Sequence, residues 1–413
     1  MGKQDTQKQQ AGDGVTVELR RGKSKPFWLG HPWIFSGAIH AVHGDPGPTG
    51  APCKVVDERG NVVGTGFYNP LGKIAVRLLQ HRRTTDLEFE PEGFGRVLDR
   101  RLRAAWARRK ALALPRPDTD VYRAVNAEGD LLPGLVVDML GDLASVQLNS
   151  RQMYDERTLV TRLVAEVTGA RQVMLSVTET ASKLEGVPIT GEMGIGELPS
   201  GLEVTENGIR YALDLDAAQK TGFYADQREN RARFAAVSKG SRLLDLYCYV
   251  GGFGLNAAKA GAASVTQVDS SKPATTQAQA NAALNGLSGL EVVNTDAVTY
   301  LKEAVARGDK WDRIVCDPPK LANGRAHVEE ALKKYARINT LAMSALEPGG
   351  LLLTCSCSRH ISPDEFLRML TESGHRLRRS IQVFETWSQP GDHPTLSVAP
   401  EGRYLKAYLV GVE

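Results

Sequence analysis

Two short segments of this chain combine residue types that could carry out covalent chemistry. The first is Cys316-Asp317-Pro318-Pro319, and the second is Thr354-Cys355-Ser356-Cys357-Ser358. Each follows a short apolar run, which is typical of a buried strand. A thiolate can attack an electron-poor ring, and a carboxyl group can handle the protons of that ring. The sequence therefore predicts a reactive cleft where two neighbouring strands end.

The second half of the chain alternates apolar segments with segments of helical periodicity, which predicts a doubly wound, mostly parallel sheet. Four acids fall at successive strand ends of this pattern: Asp245, Asp269, Asp296 and Asp317. A single Asp there is most often a helix cap or a turn former. Four in succession instead indicate a ligand cleft at the carboxyl edge of the sheet.

The turn after the first of these strands is rich in glycine and contains Gly251-Gly252-Phe253-Gly254. Such a turn lets a ligand approach the backbone, but its order does not match the dinucleotide fingerprint G-x-G-x-x-G. Asp245 would repel a phosphate and suit a cation. S-adenosylmethionine (SAM) carries an ammonium and a sulfonium group and no phosphate, so the pattern favours SAM. Asp269 is then placed for the ribose hydroxyls and Asp296 for the adenine amino group.

The first half of the chain has a different pattern. Residues 15–83 contain short alternating segments separated by Gly and Pro, which indicates a small β-barrel. Residues 86–114 predict a long basic helix that is ended by Pro115 and Pro117. Residues 122–203 predict a small α+β domain. We expect a disordered tail at 1–14 and domains at 15–83, 84–205 and 206–413.

Charge is distributed unevenly along the chain. Residues 1–120 carry 20 Lys and Arg against 13 Asp and Glu, a net charge of +7, whereas the remainder carries 31 against 35, a net charge of −4. A basic front half predicts a polyanion such as nucleic acid as the partner, and solvated helix faces are the alternative. No apolar run approaches the roughly 20 residues that span a bilayer, so no membrane partner is expected.

The five cysteines form no regular framework, and none pairs with histidines at zinc spacing. This argues against secreted disulfides and against a metal site, and it favours a reducing, cytoplasmic location. The polar N-terminal residues do not have the pattern of a secretion signal.

Almost the whole chain resembles the large-subunit ribosomal RNA cytosine methyltransferases, which have an N-terminal PUA domain. The matching segments are Lys25–Gly37, Val125–Asp138, Gln219–Arg231, Leu244–Phe253, Cys316–Lys320, Cys355–Ser358 and Asp392–Leu405. The resemblance implies a PUA barrel, a small α+β middle domain and a Rossmann-like methyltransferase domain with a seven-stranded, mostly parallel sheet. It implies SAM as the cofactor and 23S ribosomal RNA as the partner. The implied reaction forms 5-methylcytosine through a covalent cysteine adduct.

The resemblance also implies which residues bind the cofactor. In this family the Gln219–Arg231 segment lies over the donor, where aromatic rings can enclose the methionine chain and a cation can meet its carboxylate. The residues expected to bind SAM are Lys220, Phe223, Tyr224, Asp226, Gln227, Arg228, Asp245, Tyr247, Gly251, Asp269, Asp296 and Asp317.

The Ser-Cys-Ser segment of the family matches Ser356-Cys357-Ser358, so the resemblance implies Cys357 as the nucleophile and Asp317 as the group that orients the base. Cys355 is the rival, because it lies on the same face if the strand continues. The other three thiols, in Cys53, Cys248 and Cys316, are interpreted as packing residues. The proton-removing base is left open among His360, His393, Asp317 and water.

Basic and aromatic residues occur together in Lys25–Gly37, which suits phosphate contact and base stacking. The predicted phosphate contacts are Lys23, Lys25 and Arg82, whereas Trp33 and Phe35 are predicted to belong to the barrel core. Unpaired target bases are needed, because the enzyme must reach the ring of the base.

Departures from the family pattern leave the target nucleotide open. Leu321 replaces an aromatic residue, and Arg359-His360 follows the thiol segment where Gly is common. One alternative function is methylation of a nucleobase nitrogen, for instance in guanine, with the same pocket and a structural Cys357. A second is a non-catalytic RNA-binding factor in ribosome assembly. A homodimer is also left open.

Overall fold

The computed structural model describes residues 14–83, 86, 88–199, 201–213 and 223–413. Lys220 and residues 1–13 of the tail expected at 1–14 lie outside the described residues. Contacts within the chain define two compact units. Unit 1 comprises Met1–Leu114, Tyr122–Leu198 and Asp392–Gly402, and unit 2 comprises Pro115–Val121, Pro199–Gly391 and Arg403–Glu413. The domain boundaries predicted from the sequence stay predictions.

Unit 1 begins with a six-stranded sheet in the order β2-β6-β5-β4-β1-β3. The elements are β1 (Val15–Leu19), α1 (Lys25–Trp28), β2 (Trp33–Phe35), β3 (Ile39–His43), β4 (Ala51–Val56), β5 (Val62–Tyr68) and β6 (Ile74–His81). Strands β1 and β4 are parallel, and the other pairs are antiparallel. The short alternating segments predicted for 15–83 are therefore confirmed as strands.

The prediction that Phe35 belongs to the core of this sheet is wrong. Ile34 is fully buried, and side chains alternate along a strand, so its neighbours turn outward. Phe35 is 47% exposed. Trp33 is partly buried, and its indole N–H donates to Glu128 Oε1 at 2.8 Å.

The rest of unit 1 is an α+β arrangement with a five-stranded sheet in the order β11-β10-β9-β8-β7. Its elements are α2 (Phe94–Ala111), β7 (Val121–Asn126), β8 (Leu135–Leu140), β9 (Leu143–Leu148), α3 (Arg151–Asp155), α4 (Arg157–Thr168), β10 (Gln172–Val177), α5 (Glu179–Glu185) and β11 (Thr190–Ile195). Strands β8 and β9 form the predicted hairpin. Helix α2 is shorter than the predicted 86–114, because Gly93 starts it and Ala113, at φ 55°, turns out of it before the prolines.

Several basic residues of α2 form ion pairs within unit 1. Arg109 is 1% exposed and donates to both carboxylate oxygens of Asp130, at 2.7 and 2.6 Å. Arg108 also reaches Asp130, and Arg100 pairs with Glu92 at 2.7 Å. These contacts reduce the charge that the helix can offer to a polyanion, which weakens the sequence argument for this part of the chain.

Unit 2 contains the seven-stranded sheet, in the order β16-β15-β14-β17-β18-β20-β19, and a two-stranded hairpin, β12-β13. The strands are β12 (Leu202–Glu206), β13 (Ile209–Leu213), β14 (Arg242–Leu246), β15 (Ser264–Asp269), β16 (Leu290–Asn294), β17 (Trp311–Cys316), β18 (Leu346–Ser356), β19 (Ile381–Trp387) and β20 (Lys406–Val412). The helices are α6 (Arg228–Ala236), α7 (Gly252–Lys259), α8 (Lys272–Leu284), α9 (Ala297–Arg307), α10 (Val328–Ser344) and α11 (Pro363–Arg376). Of these seven strands only β20 runs against the others, because it pairs antiparallel with both β18 and β19, so the predicted doubly wound, mostly parallel sheet is confirmed.

Each face of this sheet has its own core. Leu244, Leu246 and Ile314 pack in the cluster that includes residues of α9, α10 and α11. The alternate positions, Leu243 and Val315, pack in the cluster that includes residues of α6 and α7. Asp245 and Asp317 continue this second set by strand alternation, so both carboxyl groups are directed to the same side.

The strand order reverses at β14 and β17, which are neighbours in the sheet although β15 and β16 lie between them in the chain. Ligands of open α/β sheets bind in the crevice at such a switch point. Within the described residues, no helix is both long enough and apolar enough to cross a membrane.

Candidate active site

Asp245 lies at the centre of the carboxyl edge and is 1% exposed. Its Oδ2 accepts a hydrogen bond from the backbone N–H of Gly254 at 2.9 Å. Its Oδ1 is buried and has no hydrogen-bond partner among the described residues. Burial raises the pKa of this carboxyl to about 7, against the effect of the Gly254 N–H. A buried carboxyl oxygen without a partner is costly, so Asp245 is suited to a cationic ligand.

Asp317 follows the neighbouring strand β17 and is partly buried. Gln227 donates from Nε2 to its Oδ2 at 2.9 Å, and Gln227 Oε1 accepts from Asn230 Nδ2 at 2.6 Å. Burial raises the pKa of Asp317 to about 7, and the charge of Asp226 acts in the same direction. The carboxyl group is therefore able to act as a proton donor near neutral pH.

The thiols of Cys355 and Cys357 differ in exposure. Cys355 is fully buried in the cluster with Leu353 and Phe253, and burial raises its pKa well above the ordinary value. Cys357 lies just beyond the end of β18 and is partly exposed. The three remaining thiols, in Cys53, Cys248 and Cys316, are buried as predicted.

Ser358 connects the two segments that the sequence singled out. Its hydroxyl oxygen accepts from the backbone N–H groups of Leu321 and Ala322 at 3.2 and 3.1 Å, and it lies 3.2 Å from the hydroxyl of Tyr335. The loop after Asp317 is thereby fixed to the residue that follows Cys357.

The glycine-rich turn has an unusual backbone. Tyr247 and Tyr249 have φ of 63° and 50°, and Gly251 has φ of 92°. Left-handed conformations cost non-glycine residues about 1–3 kcal/mol, so the surrounding contacts must stabilise the turn. One such contact is the bond from the Tyr249 N–H to Asp269 Oδ2, at 3.0 Å.

Two glycines of the turn make room for protein side chains. A Cβ at Gly252 would lie 2.5 Å from Arg231 Nε, and a Cβ at Gly254 would clash with Gln267 Nε2. The sequence explained the glycines by the approach of a ligand. The structure adds a second requirement, namely the packing of Arg231 and Gln267.

The outer two acids have protein partners of their own. Asp269 accepts from the backbone N–H groups of Tyr249 and Ser271, at 3.0 and 2.8 Å. Asp296 is exposed and is the N-cap of α9, because its Oδ1 accepts from the Thr299 N–H at 2.8 Å. The cap interpretation considered for a single Asp thus holds at Asp296, and binding of adenine there stays a prediction.

The described part of the Gln219–Arg231 segment is held by several contacts. Phe223 is 6% exposed, with its ring 4.9 Å from that of Tyr211. Asp226 Oδ2 accepts from the Tyr404 hydroxyl at 2.7 Å. Arg228 is 2% exposed, with Nε 3.1 Å from Glu229 Oε1. Direct contact of these side chains with the cofactor stays a prediction.

Arg231, which was not named as a site residue, connects this segment to the rest of unit 2. Its Nη1 donates to both carboxylate oxygens of Glu206, at 2.7 and 2.9 Å, and its Nη2 donates to the carbonyl of Tyr224 at 2.9 Å. Its guanidinium also lies 5.0 Å from the ring centre of Phe223. Its position at the end of the matching segment was the only available signal.

The histidines and the predicted phosphate contacts differ in their surroundings. His393 belongs to unit 1, where it is 2% exposed and lies 3.1 Å from Asp392, whereas His360 in unit 2 is exposed. Lys23 and Lys25 are exposed. Arg82 is partly buried and donates to the carbonyl of Asp86 at 2.9 Å.

Comparison with known proteins assigns this geometry to a family. The model of the S-adenosylmethionine-dependent methyltransferases matches residues 157–410, and that of PUA-like domains matches residues 17–81. The chain is 36% identical to ribosomal RNA large subunit methyltransferase I of Shewanella frigidimarina over 96% of its length and 99% of that protein. This chain belongs to the S-adenosylmethionine-dependent methyltransferases of the ribosomal RNA large subunit methyltransferase I family.

Two further matches agree with this family and with its fold. The protein of the same name from Photobacterium profundum is 34% identical over 97% of this chain and 100% of that protein. A solved methyltransferase in complex with S-adenosylhomocysteine superimposes with a TM-score of 0.82 at 19% identity, over 96% of this chain and 99% of that one. The multidomain architecture predicted from the sequence, a PUA-like domain joined to a Rossmann-like methyltransferase domain, is thus confirmed.

SAM is the methyl donor of this methyltransferase family, and the residues at the centre of the carboxyl edge fit it. The buried Asp245 Oδ1 without a partner can accept from an ammonium group. The backbone-bonded Asp269 retains acceptor capacity for ribose hydroxyls, because each carboxylate oxygen can accept more than one bond.

Proposed function

We propose that this protein methylates carbon 5 of a cytosine in large-subunit (23S) ribosomal RNA through a covalent bond between Cys357 and the base. The names of the relatives support the substrate class. One observation favours the chemistry. Of the five cysteines, Cys357 alone is partly exposed, and it follows β18, the strand that pairs with β17, after which Asp317 lies. The pairing of β17 with β18 therefore places a nucleophile and a proton donor at the same edge of the sheet, where ligands of such sheets bind.

Carbon 5 of cytosine is a poor nucleophile, and addition of a thiolate to carbon 6 overcomes this. The bond between Cys357 Sγ and carbon 6 forms, the electrons of the 5,6 double bond shift to form a 4,5 double bond, and those of the 3,4 double bond move to ring nitrogen 3. If ring nitrogen 3 takes the proton of Asp317, the adduct is a neutral enamine with a nucleophilic carbon 5. The raised pKa of Asp317, about 7, supports this role because the carboxyl group then carries a proton in much of the population.

SAM, when bound, supplies the methyl group to carbon 5. Loss of the carbon 5 proton then restores the 5,6 double bond as the bond to Cys357 Sγ breaks, and nitrogen 3 returns its proton to Asp317. The base that takes the carbon 5 proton is a water molecule in this proposal. His360, the histidine candidate in unit 2, is largely exposed to solvent. Its slight burial and the charge of Arg359 lower its pKa.

The substrate must present its cytosine outside a base-paired stack, since the thiolate has to reach carbon 6. Lys23 and Lys25 in the PUA-like domain are exposed and are proposed to contact RNA phosphates. Arg82 is proposed as a weaker contributor, because its guanidinium already bonds the Asp86 carbonyl.

The decisive experiment compares wild type with Cys357→Ala, using ribosomal RNA and SAM with a labelled methyl group. The RNA is digested to nucleosides, and the labelled nucleoside is identified. We expect labelled 5-methylcytidine from wild type and at least a thousandfold loss in Cys357→Ala. RNA that contains 5-fluorocytosine should trap a covalent complex with wild type and not with Cys357→Ala, because fluorine cannot be removed as a proton.

Cys355→Ala is the matched control, because it removes the neighbouring thiol from the buried face of the same strand. This variant should retain methylation and trapping. Full activity of Cys357→Ala, or label only on guanine, would contradict the covalent cytosine mechanism and favour a nitrogen methyltransferase. Absence of any RNA methylation by wild type, with RNA binding retained, would favour a non-catalytic assembly factor.

A further inference from the structure

Lys406 is a charged residue in an otherwise apolar strand. It begins β20, whose seven residues are all buried, and it is itself 6% exposed. Its Nζ donates to the carbonyl oxygens of Ser358 at 3.0 Å and Tyr404 at 2.9 Å. An ammonium group has three donors, and the two carbonyl oxygens account for two of them. Burying an ammonium group with an unused donor is costly, which points to a further partner.

Lys406 contacts the two residues that flank Cys357 in the chain. Its backbone pairs with Ser356 in the antiparallel β18–β20 ladder, and its ammonium group bonds the carbonyl of Ser358. Cys357 is the residue between these two attachment points. Neither attachment involves the thiol itself, so the position of the amine is fixed independently of the state of the sulfur.

We propose that Lys406 and Cys357 form an ammonium–thiolate pair, in which the proton of the thiol resides on Lys406 Nζ. The S–H bond breaks and an N–H bond forms, so no proton enters or leaves the pair. Lys406 is thereby a positioning residue that keeps Cys357 ready for attack. This inference deepens the proposed function and rests on it for the catalytic consequence.

The charges around the thiol are compatible with such a pair. Burial lowers the pKa of Lys406 to about 8, while the adjacent Cys357 acts in the opposite direction. Tyr224 and Tyr335 also lie near Cys357, and burial raises the pKa of each to about 12, so both are neutral at pH 7. Cys355 is a neighbour too, and its raised pKa keeps it a thiol. The charge of Asp317 also raises the pKa of Tyr224 and Tyr335, so Asp317 lies near the same group of side chains. Because Asp317 has a pKa of about 7, it is partly protonated near pH 7, and its repulsion of a thiolate is limited.

The pH dependence of alkylation measures the pair directly. Wild type, Lys406→Gln and Lys406→Arg are treated with iodoacetamide between pH 5.5 and 9.5, and the peptide that contains Cys357 is quantified by mass spectrometry. The other four thiols are buried, and Cys357→Ala supplies the blank. In wild type we expect the inflection at least one pH unit below the value of about 8.5 for a free cysteine.

Lys406→Gln keeps a hydrogen-bond donor for the two carbonyls but removes the charge. Its inflection should rise by one unit or more, which makes alkylation at pH 7 about tenfold slower. Lys406→Arg keeps the charge and should retain the low inflection. A wild-type inflection at or above that of a free cysteine would overturn the proposal, and so would an unchanged inflection in folded Lys406→Gln. Should Lys406→Gln not unfold cooperatively, the wild-type curve alone decides.

This measurement requires neither RNA nor SAM, so it tests the pair separately from the methylated base. A low inflection together with active Cys357→Ala would leave the pair in place and refute the covalent function. An inflection at the free-cysteine value together with inactive Cys357→Ala would refute the ammonium–thiolate pair and leave the covalent function in place.

Discussion

The centre and the flank of the carboxyl edge both present aspartates, yet the two regions differ in chemistry. At the centre, Asp245 and Asp317 lie in or after β14 and β17, and burial raises the pKa of each to about 7. At the flank, Asp269 accepts two backbone N–H groups, and Asp296 caps a helix. The difference teaches that a strand-end acid acquires unusual proton affinity where hydrogen-bond donors do not offset its burial.

The topology explains why the centre is the exceptional region. Strand order reverses between β14 and β17, so the connections diverge there and leave a crevice. At the flank, the turn after β15 and the start of α9 approach the acids and supply N–H groups. We infer that the centre handles charge and protons, whereas the flank mainly shapes the site.

Asp317→Asn should have the largest effect on this comparison. The amide can still accept from Gln227, but it has no acidic proton for nitrogen 3 of the base. We expect kcat to fall by roughly 10²–10⁴-fold, with SAM affinity changed much less. Steady-state methylation and calorimetric SAM binding check this. A loss of less than about threefold in kcat would remove Asp317 from the proton-handling group.

Asp245→Asn should weaken SAM binding by about 10–100-fold, because it removes a charge-assisted hydrogen bond of about 1.5–3 kcal/mol. If the side-chain amide of the variant rotates by 180°, it directs an N–H group at the ammonium group of SAM, which is unfavourable. Calorimetric titration with SAM measures the effect, and Asp296→Asn is the control at the flank. Equal losses in the two variants would abolish the distinction between centre and flank.

The stability of the SAM-free protein should depend on pH in a characteristic way. A carboxyl group with a folded-state pKa of about 7 binds more protons in the folded than in the unfolded state between about pH 4 and 7. Stability is therefore expected to fall as pH rises through that window, and to level off above it. In Asp245→Asn the Tm should decline less steeply with rising pH, so that the loss of Tm by pH 7.5 is smaller than in wild type by a few degrees. A wild-type Tm that rises steadily across the window, with no flattening in Asp245→Asn, would contradict the raised pKa.

Asp296→Ala should give the smallest effect on function. Loss of the cap is expected to cost about 1 kcal/mol of stability, and SAM affinity should change by less than about fivefold. Asp296→Asn should keep the stability, because Asn is also a good cap. Chemical denaturation and SAM titration separate the two effects. A tenfold loss of SAM affinity in Asp296→Asn would show that this acid contacts the donor strongly.

Much of unit 2 could be predicted because its signals are local. Apolar runs and intervening helical periods located the strands of the parallel sheet, and the Ser-Cys-Ser segment drew attention to Cys357. The helix predicted at 86–114 was too long, because charge and periodicity do not reveal that Ala113 adopts a left-handed backbone. Phe35 was assigned to the wrong face for a related reason, since one-residue register decides which side of a strand is buried.

Contacts between distant segments could not be predicted. Lys406 lies 48 residues after Ser358, to which its ammonium group bonds. Gln227 reaches Asp317 across 90 residues. A single Lys at the start of the apolar run Lys406–Val412 was a usable signal, but only the β18–β20 register shows what it faces.

The sequence by itself determined the reaction class. Its thiols, strand-end acids and glycine-rich turn occur in an order typical of a SAM-dependent methyltransferase. Tertiary structure decided which of these groups are chemically unusual. Cys355 and Cys357 are two residues apart, yet one is buried among apolar side chains and the other is partly exposed. The physical reason is that proton affinity and reactivity depend on desolvation and on nearby donors, and both are set by segments far apart in the chain.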